Sequence, residues 1–409
     1  MLHIYKIKKI ASIIGAFFLF LTLNPFIIWI SYPPFINISS LFLIVITTLT
    51  LNSCRLIEIT KGKVSIAILI LLFMIQISTP LFGGAAFDLG KLMHFSGLLL
   101  IIFFSPQVHL EIFMMFRKLM FFFAVSSIIV FLITFVRIEL PYYKIPGFSL
   151  VMTRSFPGSF YKLYGVVVTA SHSENILGGF KIARSCGPFL EGGHYAIYLG
   201  IVMFLEKVLF NKVTKVFIVA SIFTLSPTVL FFTGFIFIYD VLFIQKGKKL
   251  LPYSIAGILF IGFIISVSGE LGNQIYYILI ESKLESAESN SLDAILNDRA
   301  GKDALDAYES YIKTSEVYSG KGLHELEDLG VLSDYRGLIY VYGYIGFFLC
   351  LLACFYLLFN VISNKQIRFF FILSVILIVS HRSWMMNSIF IYAIFIIAST
   401  SKKYLNNNI

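Results

Sequence analysis

Charge is the scarcest ingredient of this 409-residue chain: Asp, Glu, Lys and Arg make up 13% of it, against 58% hydrophobic residues and a mean hydropathy of +0.89. A soluble globular domain carries about a quarter charged residues. The composition therefore excludes that class and points to a polytopic membrane protein. What charge there is sums to +10, but it is scattered between apolar runs and forms no contiguous basic face. It reads as a membrane topology signal, and no nucleic-acid partner is expected. The chain also lacks a P-loop, a dinucleotide fingerprint and a nucleophile elbow. With no Asp-x-Asp triplet to hold a divalent ion against a diphosphate, neither metal nor cofactor is expected. Glu325, Glu327 and Asp328 come nearest to a cation site and read as a solvated acidic turn. Cysteine is sparse: Cys54, Cys350 and Cys354 fall on the inner side or within spans, which leaves Cys186 alone outside and predicts no disulfide.

What the chain does have is a succession of apolar runs of about the 20 residues that a spanning helix needs. The first, Ile10 to Ile30, follows Lys6, Lys8 and Lys9 with no cleavage site behind it, so it reads as an uncleaved span with a cytoplasmic amino terminus. Counting on predicts twelve spans with both termini inside. Two pairs, around Ser226 and around His381, are short enough to be re-entrant. Of 32 Lys and Arg, 18 fall on inner segments and two on short outer turns, while two long outer loops hold six each. Long loops are exempt from the positive-inside rule, so the topology is self-consistent. The predicted organisation is helices 1–5 in residues 1–136, an outer loop over 137–193, helices 6–9 in 194–268, a second outer loop over 269–336, and helices 10–12 in 337–409.

The two outer loops differ in sign. The first holds six basic and three acidic residues, a balance of +3, and the second six basic and 14 acidic, a balance of −8. Such a pair can treat an anionic substrate differently, one capturing and the other releasing it; the plain alternative for any single charge is a solvated surface. Within the second loop, Leu292, Ile295 and Leu296 lie seven, four and three residues before Arg299, so on a helix they share its face and turn it toward the buried side. A buried arginine needs an anionic partner, either a carboxylate such as Glu191 or a substrate. Residues 303–314 continue as an amphipathic helix through Ala304, Leu305, Tyr308, Tyr311 and Ile312. Gly320 and Gly322 then break it and let backbone approach a ligand.

The chain re-enters the membrane twice at titratable groups, which are costly at that depth unless used. The first re-entry, Arg184 to Tyr198, reads RSCGPFLEGGHYAIY and carries Arg184, Glu191 and His194. The second carries Asp334 and Arg336 before Tyr342, Gly343, Tyr344, Ile345, Gly346 and Phe347. Each places an acid and an arginine at the outer interface, so a site shared between the spans that begin there is expected.

At these residues the sequence resembles the bacterial O-antigen polymerase family, related to the O-antigen ligases. The likeness covers most of the chain: about a dozen spans, two dominant periplasmic loops, the Arg184 to His194 stretch, the short helices around Ser226, and the Gly-x-Gly followed by Tyr-Gly-Tyr-Ile-Gly-Phe. Arg154 followed by ten residues and Gly165 also fits a spacing of the family's first loop. In the second loop the spacing fails, since Ser310 stands at that distance from Arg299 and Gly346 is one residue short of it from Arg336.

The resemblance implies an all-α, GT-C-like glycosyltransferase of the bacterial inner membrane. Its donor would be an undecaprenyl-diphosphate-linked oligosaccharide, and membrane lipid and a chain-length regulator protein would be its partners. Arginines would stabilise the leaving diphosphate, and a carboxylate would serve as general base toward the attacking sugar hydroxyl. On this chain the diphosphate candidates are Arg184, Arg299 and Arg336, with Arg154 from the family spacing. Glu191 is first choice for base and Asp334 second, with His194 to replace or orient Glu191. An O-antigen ligase would share fold and donor, and His324 keeps that alternative open. A lipid-linked oligosaccharide transporter would need ionisable residues along the spans, where only His94 and Asp240 qualify.

Overall fold

A computed structural model describes residues 2–27, 38, 41–42, 44–45, 56–78, 96–97, 99–136, 138–146, 160–170, 174–177, 180–226, 228–240, 243, 302–322, 332, 334–381, 385–386 and 390–408. These residues are mostly helical. Among them, three helices are long and apolar enough to cross a membrane: Pro106–Phe135, Gly192–Phe210 and Tyr335–Val361. The chain divides into two compact units, one of residues 1–119 with 299–409 and one of residues 120–298.

The first unit opens with α1, Leu2–Leu21. The sequence predicts a span running on to Ile30, but the helix stops at Leu21, and Asn24 turns left-handed at φ 56°. Pro25 is the physical reason, because a proline pushes the residue before it out of the helical region, and asparagine tolerates the resulting φ better than most. Helix α2 spans Lys61–Ser78, and α3, Pro106–Phe135, starts in this unit and continues past its boundary at residue 119. Pro106 suits the first helical position, and the helix that starts there takes in Arg117 and Lys118.

The starts of α2 and α3 are tied by polar groups. Ser105 N–H donates to the Leu56 carbonyl at 2.6 Å and Glu58 N–H to Phe103 at 2.8 Å. The buried Lys63 ammonium donates to the Phe104 carbonyl at 2.8 Å. His109, fully buried, bridges Thr400 Oγ1 and the Ile101 carbonyl, each at 2.6 Å. Lys63 and His109 are thus satisfied, whereas the Ser105 hydroxyl is buried with no partner among the described residues.

The carboxyl-terminal part of this unit holds a short helix, α7 (Lys302–Tyr311), and three long ones. Helix α8 spans Tyr335–Tyr356 and winds on as a π turn over Leu357–Val361; α9 spans Lys365–His381 and α10 Phe390–Asn408. Helix α10 is enclosed from Phe390 to Ala398, where Phe395 meets Phe371 edge-on at 5.1 Å. Tyr392 on α10 reaches Cys350 on α8, with Sγ and Oη 3.2 Å apart.

The second unit corrects the all-α expectation, for part of the 137–193 loop forms strands. Strands β1 (Tyr143–Pro146), β2 (Phe160–Tyr164) and β3 (Val167–Ala170) make an antiparallel sheet in that order, and β4 (Glu174–Leu177) pairs with β5 (Phe180–Ala183). The register sets Lys144 opposite Lys162 and Tyr161 opposite Ala170. Gly165, at φ 65° in the tight β2–β3 turn, is there because the turn needs a residue free to take that angle. This gives the glycine of the arginine-x10-glycine spacing a local structural reason; Arg154 lies outside the described residues.

Helix α4, Gly192–Phe210, is buried along nearly its whole length, with α5 (Lys215–Ile222) and α6 (Thr228–Tyr239) against it. The expected pair of short helices around Ser226 is therefore present. Gly200 lets α6 close in, since a Cβ there would lie 2.3 Å from the Phe232 ring. Buried Glu206 accepts from Thr214 N–H at 2.8 Å and its hydroxyl at 2.7 Å, which fixes the turn from α4 into α5. Asp240, one of the two residues expected to be intramembrane, pairs with Lys207 at 2.8 Å. The other, His94, lies outside the described residues, as does Cys54.

Helix α7 spans Lys302–Tyr311, followed by a 3-10 turn at Ser315–Tyr318. Ala304 and Tyr311 are buried and Leu305 and Tyr308 partly so, as the amphipathic spacing predicts, but Ile312 falls beyond the helix end and is exposed.

Candidate functional site

The stretch from Arg184 to His194 is bound on two sides. On one, Cys186 N–H donates to the Val168 carbonyl at 3.1 Å and Val168 N–H to the Gly187 carbonyl at 2.6 Å, which extends the edge of β3. On the other, Ser185 N–H donates to the Phe223 carbonyl at 3.1 Å, in the turn between α5 and α6. The Ser226 region and the arginine stretch, two separate features of the sequence, thus meet. Gly187 takes φ 56°, and a Cβ there would stand 2.5 Å from the Tyr195 ring. Gly192 is equally confined, 2.8 Å from the Thr224 carbonyl by the same measure. Small residues at these two points let the chain turn tightly into α4. Phe189 then closes over Tyr198, ring centroids 4.8 Å apart.

Glu191 occupies the position that caps α4, in extended conformation, yet its side chain makes no capping bond. Its carboxylate is therefore held at the positive end of a helix, 43% exposed and 3.7 Å from Nε2 of the buried His194. This carboxylate acts on the buried Cys186 and Tyr161 and on the half-buried Arg184. Burial, then Glu191, push the Cys186 thiol up to about 12, against backbone N–H groups of Ala170 and Gly192 and the nearby Arg184 guanidinium. Burial, reinforced by Glu191 and Cys186, raises the Tyr161 phenol well above its ordinary value. Burial lowers Arg184 from its ordinary value, with Cys186 and Glu191 opposing. Thiol and phenol stay neutral near pH 7, so the ionised groups of the cluster are a guanidinium and a carboxylate, with His194 beside them.

Arg184 is half-buried, and its Nε is buried with no hydrogen-bond partner among the described residues. The hydroxyls of Ser185 and Thr169 are in the same condition. Orphaned buried donors are costly, and a guanidinium left with one is suited to an oxyanion that can take two parallel bonds. The sequence shows Arg184, Glu191 and His194 together because they share one short stretch. Tyr161 and Thr169 join only through strand pairing, and no spacing in the sequence marks them.

Asp334 and Arg336 belong to the other unit, and they are found bonded to each other. Asp334 caps α8, accepting from Arg336 N–H at 2.9 Å, and its two oxygens take Arg336 Nε at 3.2 and 2.9 Å, with Nη2 on the second. The carboxylate is 3% exposed. Both residues stand at the amino-terminal end of an apolar helix, but each neutralises the other. Arg299, His324 and the Glu325, Glu327, Asp328 group lie outside the described residues; His381 ends α9.

The Gly320–Gly322 segment has a definite task. Helix α8 breaks at Gly343, φ 68° and ψ 178°, which takes away the donors its preceding carbonyls would use in a regular helix. Three outside donors replace them: the Tyr311 hydroxyl reaches the Ile339 carbonyl at 3.1 Å, Lys321 N–H reaches Tyr340 at 2.8 Å and Gly322 N–H reaches Val341 at 3.0 Å. The glycines bring backbone close to backbone, as the sequence predicts, though the partner is the broken helix.

No family model matches this chain, and neither a curated protein nor a solved structure does.

Proposed function

We propose that the chain is a multi-pass inner-membrane glycosyltransferase of the O-antigen polymerase type, with twelve spans and a GT-C-like arrangement. It would transfer a growing polysaccharide from undecaprenyl diphosphate to the terminal sugar of a new lipid-linked repeat unit at the periplasmic face. The observation that carries this reading is the half-buried Arg184, its Nε unpartnered among the described residues, beside the half-exposed carboxylate of Glu191 at the mouth of the enclosed helix α4.

In the reaction, the acceptor hydroxyl gives its proton to Glu191 as its oxygen attacks the anomeric carbon of the donor. The bond from that carbon to the diphosphate oxygen breaks, and undecaprenyl diphosphate leaves with the electron pair. Arg184 takes up the charge that develops on the leaving oxygen, which a fixed donor does best where water is excluded. Glu191 returns its proton to water. His194, 3.7 Å away, orients the carboxylate. Asp334 is the weaker base, because Arg336 already occupies both of its oxygens. For the same reason Arg336 meets a diphosphate with its Nε already bonded, whereas the Nε of Arg184 has no partner among the described residues.

The test is the lipopolysaccharide ladder of cells deleted for this gene and complemented with wild type, Arg184→Ala or Glu191→Gln at matched expression. The reading expects core bearing a single repeat unit in the deletion, the ladder restored by wild type, and loss of at least 100-fold in polymer with either variant, in line with removal of one transition-state donor or a general base. Loss of all O-antigen from the core, with polymer held on its lipid carrier, would replace this reading with the ligase. A wild-type ladder in the deletion strain would end both.

A further inference from the structure

Beside the Asp334–Arg336 pair, three tyrosines stand partly in the open: Tyr318 is 61% exposed, Tyr335 42% and Tyr344 41%. Rings at a membrane boundary often need no reason beyond depth, but these are held by more than depth. Tyr318 ends the 3-10 turn and Tyr344 follows the break in α8, and their rings meet edge-on at 6.1 Å. The pairing is set by backbone. A Cβ on Gly343 would stand 2.3 Å from the Tyr318 carbonyl oxygen, and one on Gly320 would stand 2.4 Å from that of Val341. Lys321 and Gly322 bond the same two segments together. The two rings are thus fixed in place before any ligand arrives, so little ordering cost remains at binding.

Tyr308, half-buried on α7, is raised to about 12 by burial and by the neighbouring Tyr344 and Tyr335, with Arg336 opposing and Asp334 adding. The same spot therefore carries exposed aromatic faces, several phenol hydroxyls and a salt-bridged pair. Its ionic groups cancel: Asp334 against Arg336, and Lys321 against Glu316 at 3.4 Å. A cluster without net charge gives an anion no preference, and its hydroxyls and ion pair would be wasted on a purely apolar partner. A molecule with flat C–H faces and many hydroxyls, itself uncharged, uses all of them.

We infer that Tyr318, Tyr335 and Tyr344, over the Asp334–Arg336 pair, form a platform for the uncharged sugar rings of a polysaccharide. The source of those sugars, the acceptor repeat unit, rests on the polymerase reading above; the platform itself does not.

The experiment uses the full-length protein in nanodiscs of zwitterionic phosphatidylcholine. The probe is lipid-free polysaccharide released by mild acid from the host's own lipopolysaccharide. Saturation-transfer NMR reads contact with sugar protons, and a titration reads affinity. Binding by wild type and a loss of at least tenfold in Tyr318→Ala are expected, with Tyr318→Phe within threefold of wild type because the ring face is kept. Tyr318 is the most exposed of the three, so its alanine variant leaves the core packing alone; circular dichroism and the elution profile check this. No transfer to wild type, or equal affinity in Tyr318→Ala, overturns the platform. Saccharide binding lost in Tyr318→Ala, together with an unchanged ladder on gene deletion, keeps the platform and removes the polymerase reading. A ladder that depends on the gene, with binding indifferent to Tyr318, does the reverse.

Discussion

Cys186 illustrates how a residue can sit beside the chemistry without taking part in it. The thiol is buried, and its surroundings push it up to about 12 from 9.0. A thiolate, not a thiol, is the nucleophile. Maleimide at pH 7.5 should therefore leave Cys186 unmodified in the native protein and label it only after denaturation; native labelling would sink the assignment. The same shift has a pH consequence. The folded value is raised above the unfolded one, so this group's contribution to stability is fully present below about pH 9 and is lost as pH rises toward about 12. Replacement of Cys186 by alanine should flatten the alkaline fall in melting temperature over that window. The arginine, carboxylate and histidine of the proposed site are legible in the sequence because Arg184, Glu191 and His194 are near neighbours in the chain. Their electrostatic surroundings are not, because Tyr161 and Thr169 arrive by the pairing of β2 and β3, and short strands in a long loop leave little periodicity to read.

At the scale of elements, three glycines with similar angles predict different outcomes. Gly343 (φ 68°) and Gly320 (φ 89°) each abut backbone, where nothing can yield, whereas Gly165 (φ 65°) has nothing within 4 Å of a would-be Cβ. Alanine at Gly165 should therefore cost only the left-handed penalty, about 1–2 kcal/mol. At Gly343 or Gly320 the same penalty is joined by a collision that parts the 3-10 turn from α8, so a loss above about 3 kcal/mol is expected. Thermal unfolding of the purified variants checks the order, and equal losses at all three positions would show that the backbone contact at Gly320 and Gly343 does not carry weight. The glycines are legible because Gly-x-Gly is a local signal, but they do not end the helix before them: α7 already stops at Tyr311 and the 3-10 turn intervenes. Sequence reading missed that the acceptors are carbonyls of a broken span, since the break at Gly343 is visible only in φ and ψ. It also ran α1 through Pro25, where the apolar run continues but the helix does not.

For the molecule as a whole, composition already decides most of the fold: apolar runs of spanning length, separated by lysines and arginines, leave few choices besides a helical membrane protein. Sidedness is the part that geometry does not supply, and it can be measured. The proposed site requires Arg184 and Glu191 to face the compartment where lipid-linked repeat units are delivered, and the charge pattern of the short segments predicts both long loops, of balance +3 and −8, on that side. Alkaline phosphatase, active only outside the cytoplasm, should be active when fused within residues 137–193 or 269–336. It should be inactive when fused after Lys212, Lys248, Lys365 or Lys403. The Lys212 and Lys365 fusions are the sharpest, because those lysines flank α4 and α9, whose other ends are predicted to lie outside. Activity at Lys212 together with silence at 137–193 would invert the chain. Glu191 would then face the cytoplasm, and no arrangement of its neighbours could make it the base of a periplasmic transfer. Expected activity at both loops, by contrast, leaves the opposite charges of those loops on one surface, where a fall in polymer length with rising ionic strength in spheroplasts should follow from screening at about 10 Å in 0.1 M salt.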